Sequence, residues 1–257
     1  MTTPQQPFQP IVDEIADGIF RISTLVPDVG PEGLTFNQFL VVADEPLLFH
    51  TGMRALFPLV SEAVATVVPV DSLRWISFGH IEADENGAMN MWLAAAPDSQ
   101  VAFGALGCDI SLNDLCDRPP RVLQEGEVLD LGGKRVRQIS TPHVPHGWEA
   151  QVLYEETTGT LFCGDLLTQA GVGAPVVTES VLDAALATEA MFGATSMSPR
   201  TSQVLRGLGD LRPTTLAIMH GSSYQGDGGR VLYDMADAYE ALATESLAEA
   251  ASAHAGR

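Results

Sequence analysis

Residues 79–90 read GHIEADENGAMN, which sets His80, Glu82 and Asp84 one residue apart and follows them with Glu85. The stretch leaves the apolar run LRWISF, which reads as a buried strand. Imidazole and carboxylate groups at this spacing suit a metal ion, and the plainer alternative is a polar loop with an N-cap acid for the next helix. Three further apolar runs deliver ligand-type residues at their ends: RVRQISTP leads to His143 and His146, TLFCG to Asp165, and TTLAIM to His220. A sheet fixes the base of such a loop while the loop presents the side chain. One histidine at a strand end is more often a hydrogen-bonded structural residue. Four deliveries, one of them a tight His-x-Glu-x-Asp cluster, point to a metal site instead.

The elements that must position these residues are short. GIFRIS, FNQFLVVAD, PLLFHTG and LRWISFGH read as strands, and ALFPLVSEAVATVV as a helix. GAMNMWLAAAP reads as a second helix stopped by Pro97, and QVAFG as a strand. A second series follows, RVLQEG, EVLDLGG, RVRQIST, AQVLYEE and GTLFCGD, with hairpin signals at Gly132-Gly133 and Thr157-Thr158-Gly159. Residues 170–203 change to Gly, Pro, Ser and Thr around the alanine-rich VLDAALATEAMF, the pattern of a lid or insertion. A helix (SQVLRGLGDL), a strand (TTLAIMH) and an amphipathic helix from about Tyr233 close the chain, with SAHAGR expected to fray. QGDGG at 225–229 lacks the Lys-Ser of a phosphate loop and reads as a flexible turn. No repeat of solenoid period is present. The alternation of strands and helices predicts two sheets packed between helix layers.

The 257 residues suffice for a sizeable core without disulfides. Thirty-three acids against 13 Lys and Arg give a formal charge of -20, which repels nucleic acid and anionic membrane surfaces, so neither is an expected partner. Cys108, Cys116 and Cys163 show no CxxC spacing and predict reduced thiols in a cytoplasmic protein. The opening MTTPQQPFQP shows no signal-peptide pattern, and no apolar run has the length of a membrane span.

HIEADE, TPHVPHGWE, LFCGDLL and AIMHGS, in that order, resemble the motifs of the metallo-β-lactamase superfamily, over about Ile11 to Tyr239. QEGEVLDLGGKRVRQISTP is similar to the strand pair that precedes the third of those motifs. The His-x-Glu-x-Asp form of the first motif resembles that of flavodiiron proteins and of the oxygen-binding di-iron proteins. The resemblance implies an α/β fold, a four-layer αββα sandwich with two β-sheets between helix layers. It would form one domain over 11–240, with 241–257 as helix end and frayed tail.

The same resemblance implies two metal positions, one held by His80, Glu82, His146 and Asp165, the other by Asp84, Asp165 and His220, with Asp165 bridging. Relatives often carry a histidine where this chain has Glu85, which leaves Glu85 as a weaker oxygen ligand or a helix cap. His146 is preferred to His143 because its spacing to Asp165 aligns the intervening strands without a gap, and a slip would turn every side chain of AQVLY over. His143 is then expected behind the ligands or in the pocket. His50, where many relatives have Asp, is expected to brace the neighbouring loop by a hydrogen bond. His254 is given no role.

Hydrolytic zinc members of the superfamily usually have histidine in place of Glu82. Three histidines with three carboxylates, or four with Glu85, suit iron or manganese better than zinc, and three or four carboxylates approximately balance two divalent ions. The implied cofactors are therefore two metal ions, with iron preferred and zinc or manganese as alternatives. The implied function is a non-haem di-iron protein, oxidoreductase-like, that binds or reduces oxygen or another diatomic molecule. The chain ends too soon after His220 to include the flavodoxin-like domain of flavodiiron relatives, so an external electron-donor protein is expected. A zinc-dependent hydrolase of an ester, thioester or lactone, and a non-enzymatic oxygen sensor, remain as alternatives. Flavodiiron-type relatives are often dimers, so a homodimer also stays open.

Overall fold

Successive side chains of a strand point to opposite faces, so a strand buried on both sides reads as a continuous apolar run. In the computed structural model, which describes residues 6–255 and side chains as far as Glu245, those paired faces build three apolar seams. Strands β1 (Ile11–Ala16), β2 (Ile19–Val26), β3 (Leu34–Val41), β4 (Leu47–Phe49), β5 (Trp75–Ser77), β6 (Gln100–Gly104) and β7 (Arg121–Leu123) lie in that order across the first sheet. The second sheet holds β8 (Val128–Asp130), β9 (Arg135–Ser140), β10 (Gln151–Glu155), β11 (Thr160–Phe162), β12 (Val176–Val177), β13 (Thr215–Ala217) and β14 (Ser223–Gln225). Its order is β12-β14-β13-β11-β10-β9-β8.

Helices α1 (Phe57–Ala65), α2 (Ala83–Asn86) and α3 (Met89–Ala95) follow strands of the first sheet, and α4 (Ala105–Gly107) and α5 (Asn113–Leu115) flank a π-turn at Cys108–Leu112. Helices α6 (Leu182–Phe192), α7 (Pro199–Asp210) and α8 (Gly228–Ala255) belong to the second half. Leu40, Leu48, Ile76 and Phe103 pack on Val60, Val64 and Trp92 of α1 and α3. Phe39, Phe49, Leu153 and Phe162 meet between the sheets, and Leu161, Leu216 and Ile218 pack on Leu205, Leu232 and Met235 of α7 and α8. Neighbours in sequence, such as Leu161 and Phe162, thus serve different seams. The result is the four-layer αββα sandwich.

Phe162 stands 5.2 Å from the Phe49 ring and 5.8 Å from the Phe39 ring, in the middle seam. Phe162→Ala is expected to cost about 3–5 kcal/mol by loss of burial and an unfilled cavity. That should lower Tm by about 10 °C for a chain of this size. A shift within a degree or so would show that the seam closes around the deletion.

Three elements depart from the expectations. IVDEIA forms the unanticipated edge strand β1, in which acids interrupt the apolar pattern and only Ile15 is buried. RVLQEG, grouped by order with the second series, pairs in parallel with β6 at the far edge of the first sheet. The closing helix begins at Gly228 rather than Tyr233, because Asp227 Oδ1 accepts the Arg230 N–H at 2.9 Å and caps it early. Residues 170–203 contribute β12, which pairs with β14, and α6, which packs on α8 and buries Ala185 in the outer seam of the second half. Helix α8 continues into SAHAGR as far as Ala255, and Gly256 and Arg257 lie outside the described residues, as does the His254 side chain. Among the described residues no helix is long and apolar enough to cross a membrane. The three cysteines are free.

What positions the site is strand direction. β4 runs parallel to β5, and β11 to β13, so each pair ends on one edge of its sheet. His50, His80, Asp165 and His220 all follow the C-terminal ends of these four strands.

Candidate metal centre

The loop after β5 carries His80, and the first turn of α2 carries Asp84, with Glu82 extended just before it. Asp165 follows β11, whose end is tied to β13 by Cys163 N–H donating to Ala217 O at 2.9 Å. His146 stands on the β9–β10 connection. That loop is closed by Thr141 N–H to Ala150 O at 2.8 Å, and fastened to the first loop where Ile81 N–H donates to Glu149 Oε1 at 3.0 Å.

His80 Nε2 lies 2.7 Å from Glu82 Oε2 and 3.0 Å from His146 Nε2. Asp165 Oδ2 is 3.5 Å from His146 Nε2 and 3.8 Å from His80 Nε2. The other oxygen, Asp165 Oδ1, is 3.2 Å from His220 Nε2, which is 3.4 Å from Asp84 Oδ2. Two groups therefore share one carboxylate: His80, Glu82, His146 and Asp165, and Asp84, Asp165 and His220. Within each, the donor atoms lie within 4.8 Å of one another.

So many lone pairs at such distances demand positive charge. Burial works against a charged His80, yet the Glu85 charge, hydrogen bonds with Glu82 and Glu85, and Asp165 push its pKa up to about 12. Burial likewise opposes a charged His220, and Asp165 and Asp84 push it up to about 10. Hydrogen bonds with His146 and then His80 hold Glu82 far below the usual carboxylate range. Protons on the imidazoles are one source of that charge, and metal cations are the other. Two observations fit the metal. Asp84 Oδ1 and Asp165 Oδ1 are buried without a well-formed hydrogen bond. His220 Nδ1 faces Thr35 O at 2.8 Å, so Nδ1–H donates there and the Nε2 lone pair points into the group.

The profile described as "ODP family beta lactamase" matches residues 34–221, a span that holds all six converging residues. The chain belongs to this family. It is 29% identical over 137 residues to "Putative diflavin flavoprotein A 1" of Nostoc sp. (strain PCC 7120), and 24% identical over 143 residues to rubredoxin-oxygen oxidoreductase of Megalodesulfovibrio gigas. These matches cover 52% and 55% of this chain, but only 23% and 35% of the relatives, so the chain spans about a quarter to a third of their length. Its fold superposes on the metal-soaked Flv1 flavodiiron core of Synechocystis sp. with a TM-score of 0.77 at 20% identity, covering 90% of this chain and 60% of that one.

Three expectations for this ODP-family chain need correction. Glu85 faces neither metal group and caps no helix. It lies inside α2, fully buried, and its Oε2 accepts the N–H groups of Gly79 and His80, each at 2.6 Å. Its Oε1 lies 3.1 Å from His80 Nδ1 and 3.4 Å from His50 Nε2, so it orients a ligand-type histidine from behind. His143 sits on an exposed turn with φ 66°, its N–H donating to Gly147 O at 2.7 Å, and lies neither behind the ligands nor in the pocket. The turn that brings His146 inward carries His143 out to solvent. His50, expected to brace the neighbouring loop, makes its hydrogen-bond contact to strand β3 instead, with Nδ1 3.1 Å from Asn37 O.

Sequence reasoning missed the clamp on the His220 loop. Thr35 Oγ1 accepts Gly221 N–H at 2.8 Å, Asn37 Nδ2 donates to Ile218 O at 2.8 Å, and buried Arg21 Nη2 donates to Gly221 O at 3.0 Å. The polar Asn-Gln pair inside the otherwise apolar FNQFLVV was the available signal.

The two histidines of the β9–β10 loop give a direct contrast. His146→Ala is expected to lower metal affinity by about 10-fold or more, since the first group loses one of its two imidazoles. His143→Ala should leave metal content unchanged. Elemental analysis after dialysis against a weak chelator checks both, and the reverse pattern would show that the His143 reading of the motif was right.

Proposed function

We propose that this protein holds two iron ions, one in each of the groups that share Asp165, and uses them to bind or reduce oxygen or another diatomic molecule. The observation that carries the reading is the split carboxylate of Asp165, with Oδ2 toward His80 and His146 and Oδ1 toward His220. The third carboxylate, Glu82, favours iron over zinc because oxygen-rich sets suit harder, more oxidised ions. When bound, the ion pair supplies reversible electron transfer and open coordination for a small ligand. The chain's own residues do the rest. Thr35 and Glu85 fix the imidazoles of His220 and His80, and the apolar walls over Asp84 and Asp165 limit water.

Full reduction of oxygen to two waters consumes four electrons and four protons. The relative named rubredoxin-oxygen oxidoreductase suggests the donor class, a small reduced electron-transfer protein of the rubredoxin type, which would supply all four electrons. Protein from iron-supplemented medium should contain two irons per chain. After reduction and mixing with oxygen it should develop a ligand-to-metal charge-transfer band in the visible. Panels of esters, thioesters and lactones should give little turnover with either metal. If the zinc form hydrolyses one of these well while the iron form is silent to oxygen, the hydrolase reading replaces this one.

A further inference from the structure

A cavity of about 570 Å³ opens onto the carboxylate side of the centre. Its walls are largely apolar, from Leu34, Phe36, Met53, Ala194, Phe192 and Tyr239, and its floor is Asp84, Asp165 and His220. Glu82 and His146 reach it as well, whereas His80 does not. A small molecule such as water occupies about 30 Å³ of liquid. The cavity is therefore many times larger than a diatomic ligand needs, and falls in the range of roughly 300–1,000 Å³ that encloses organic molecules.

The floor also has an uneven donor set. The His80 group offers four residues and the His220 group three, and every one of those three lines the cavity. Glu85, the acid next to Asp84, has its carboxylate turned away onto Gly79 and His80 N–H. Two divalent ions would bring four positive charges against the three carboxylates of Glu82, Asp84 and Asp165, which leaves one positive charge facing an apolar space. The remaining acid of the lining, Glu189, is held by the Thr195 N–H and hydroxyl, the latter at 2.7 Å.

We propose that the cavity binds a small organic carboxylate with an apolar or aromatic body, and that its head ligates the metal held by Asp84, Asp165 and His220. The inference rests on the two-metal reading above. The walls bury the apolar body, and the head balances the residual charge where the protein leaves a position open.

The probe is 2-naphthoate, with uncharged 2-naphthalenemethanol as its control. Both are titrated by fluorescence into full-length protein loaded with zinc as a redox-silent stand-in, metal content being fixed beforehand by elemental analysis. One naphthoate per chain is expected, bound at least 10-fold more tightly than the alcohol and at least 10-fold more tightly than by metal-free protein. Ala194→Trp, at an exposed wall position, should weaken naphthoate by 10-fold or more at unchanged metal content. The proposal is overturned if two-metal protein does not bind naphthoate, if acid and alcohol bind alike, or if Ala194→Trp leaves binding intact. A chain that never takes up a second metal overturns the two-metal reading too, and elemental analysis shows that before any titration begins.

Discussion

Asp165→Ala should take metal content from two ions per chain to near zero. The two groups meet only through this residue, one oxygen serving each. Without it the second group keeps just Asp84 and His220, too few to hold an ion against buffer. The first keeps His80, Glu82 and His146 but loses an anionic donor from a charge-dense centre. The loss should come without unfolding, because Asp165 Oδ1 accepts no well-formed hydrogen bond and the backbone of the turn is held separately. Thr168 Oγ1 donates to Asp165 O at 2.6 Å, and Met219 N–H to Gly164 O at 3.1 Å. Circular dichroism of the metal-free variant and wild type should superimpose. One ion per chain retained in the variant would show that the groups are independent and that Asp165 belongs to only one of them.

The convergence was legible because His80, Asp165 and His220 are chemically marked types just beyond strands β5, β11 and β13, which are apolar on both faces, with Glu82 and Asp84 spaced closely behind His80, whereas His146 follows the half-exposed β9. The preference for His146 over His143 came from its gapless spacing to Asp165 through β10 and β11, which pair from Leu153–Phe162 to Glu155–Thr160, and it is His146 that stands in the group. The destination of Glu85 was not. A carboxylate beside Asp84 serves equally as ligand, cap or buried anchor, and what decides is backbone from elsewhere in the chain. Gly79 and Gly164 approach so closely that a Cβ on either would stand 3.0 Å or 3.4 Å from Glu85 oxygens. The hold on the His220 imidazole itself, unlike the side-chain clamp on its loop, was hidden because Thr35 makes it through its carbonyl, a group that every residue has. β7 was misplaced because the order of strands along a chain does not say which sheet an edge strand joins.

Glu85→Ala should be the most destabilising change near the centre, by about 3–5 kcal/mol, the cost of removing one partner from a buried ionic network. Full burial works against the charge of this carboxylate, yet His80 and His50 hold it well below the usual range, and its other oxygen accepts the Gly79 and His80 N–H groups. Deleting it strands the Gly79 and His80 N–H groups in a site that Gly164 already narrows, and removes the carboxylate that lies 3.4 Å from the His50 ring and 3.1 Å from the His80 ring. Tm in metal-free protein should fall by about 10 °C. Glu85→Gln separates the two contributions, because its amide oxygen still accepts from the backbone while its charge is gone. It should cost about 1–3 kcal/mol, as expected for charge-assisted hydrogen bonds made neutral. Both variants should also lower affinity at the His80 group by about 10–100-fold, as loss of the partner behind a ligating histidine does. Should Ala and Gln prove equally stable, the oxygen contacts contribute nothing and Glu85 only fills volume. Should both keep full metal affinity, His80 is oriented by the β5 loop alone, and the acid beside Asp84 serves the fold rather than the metal.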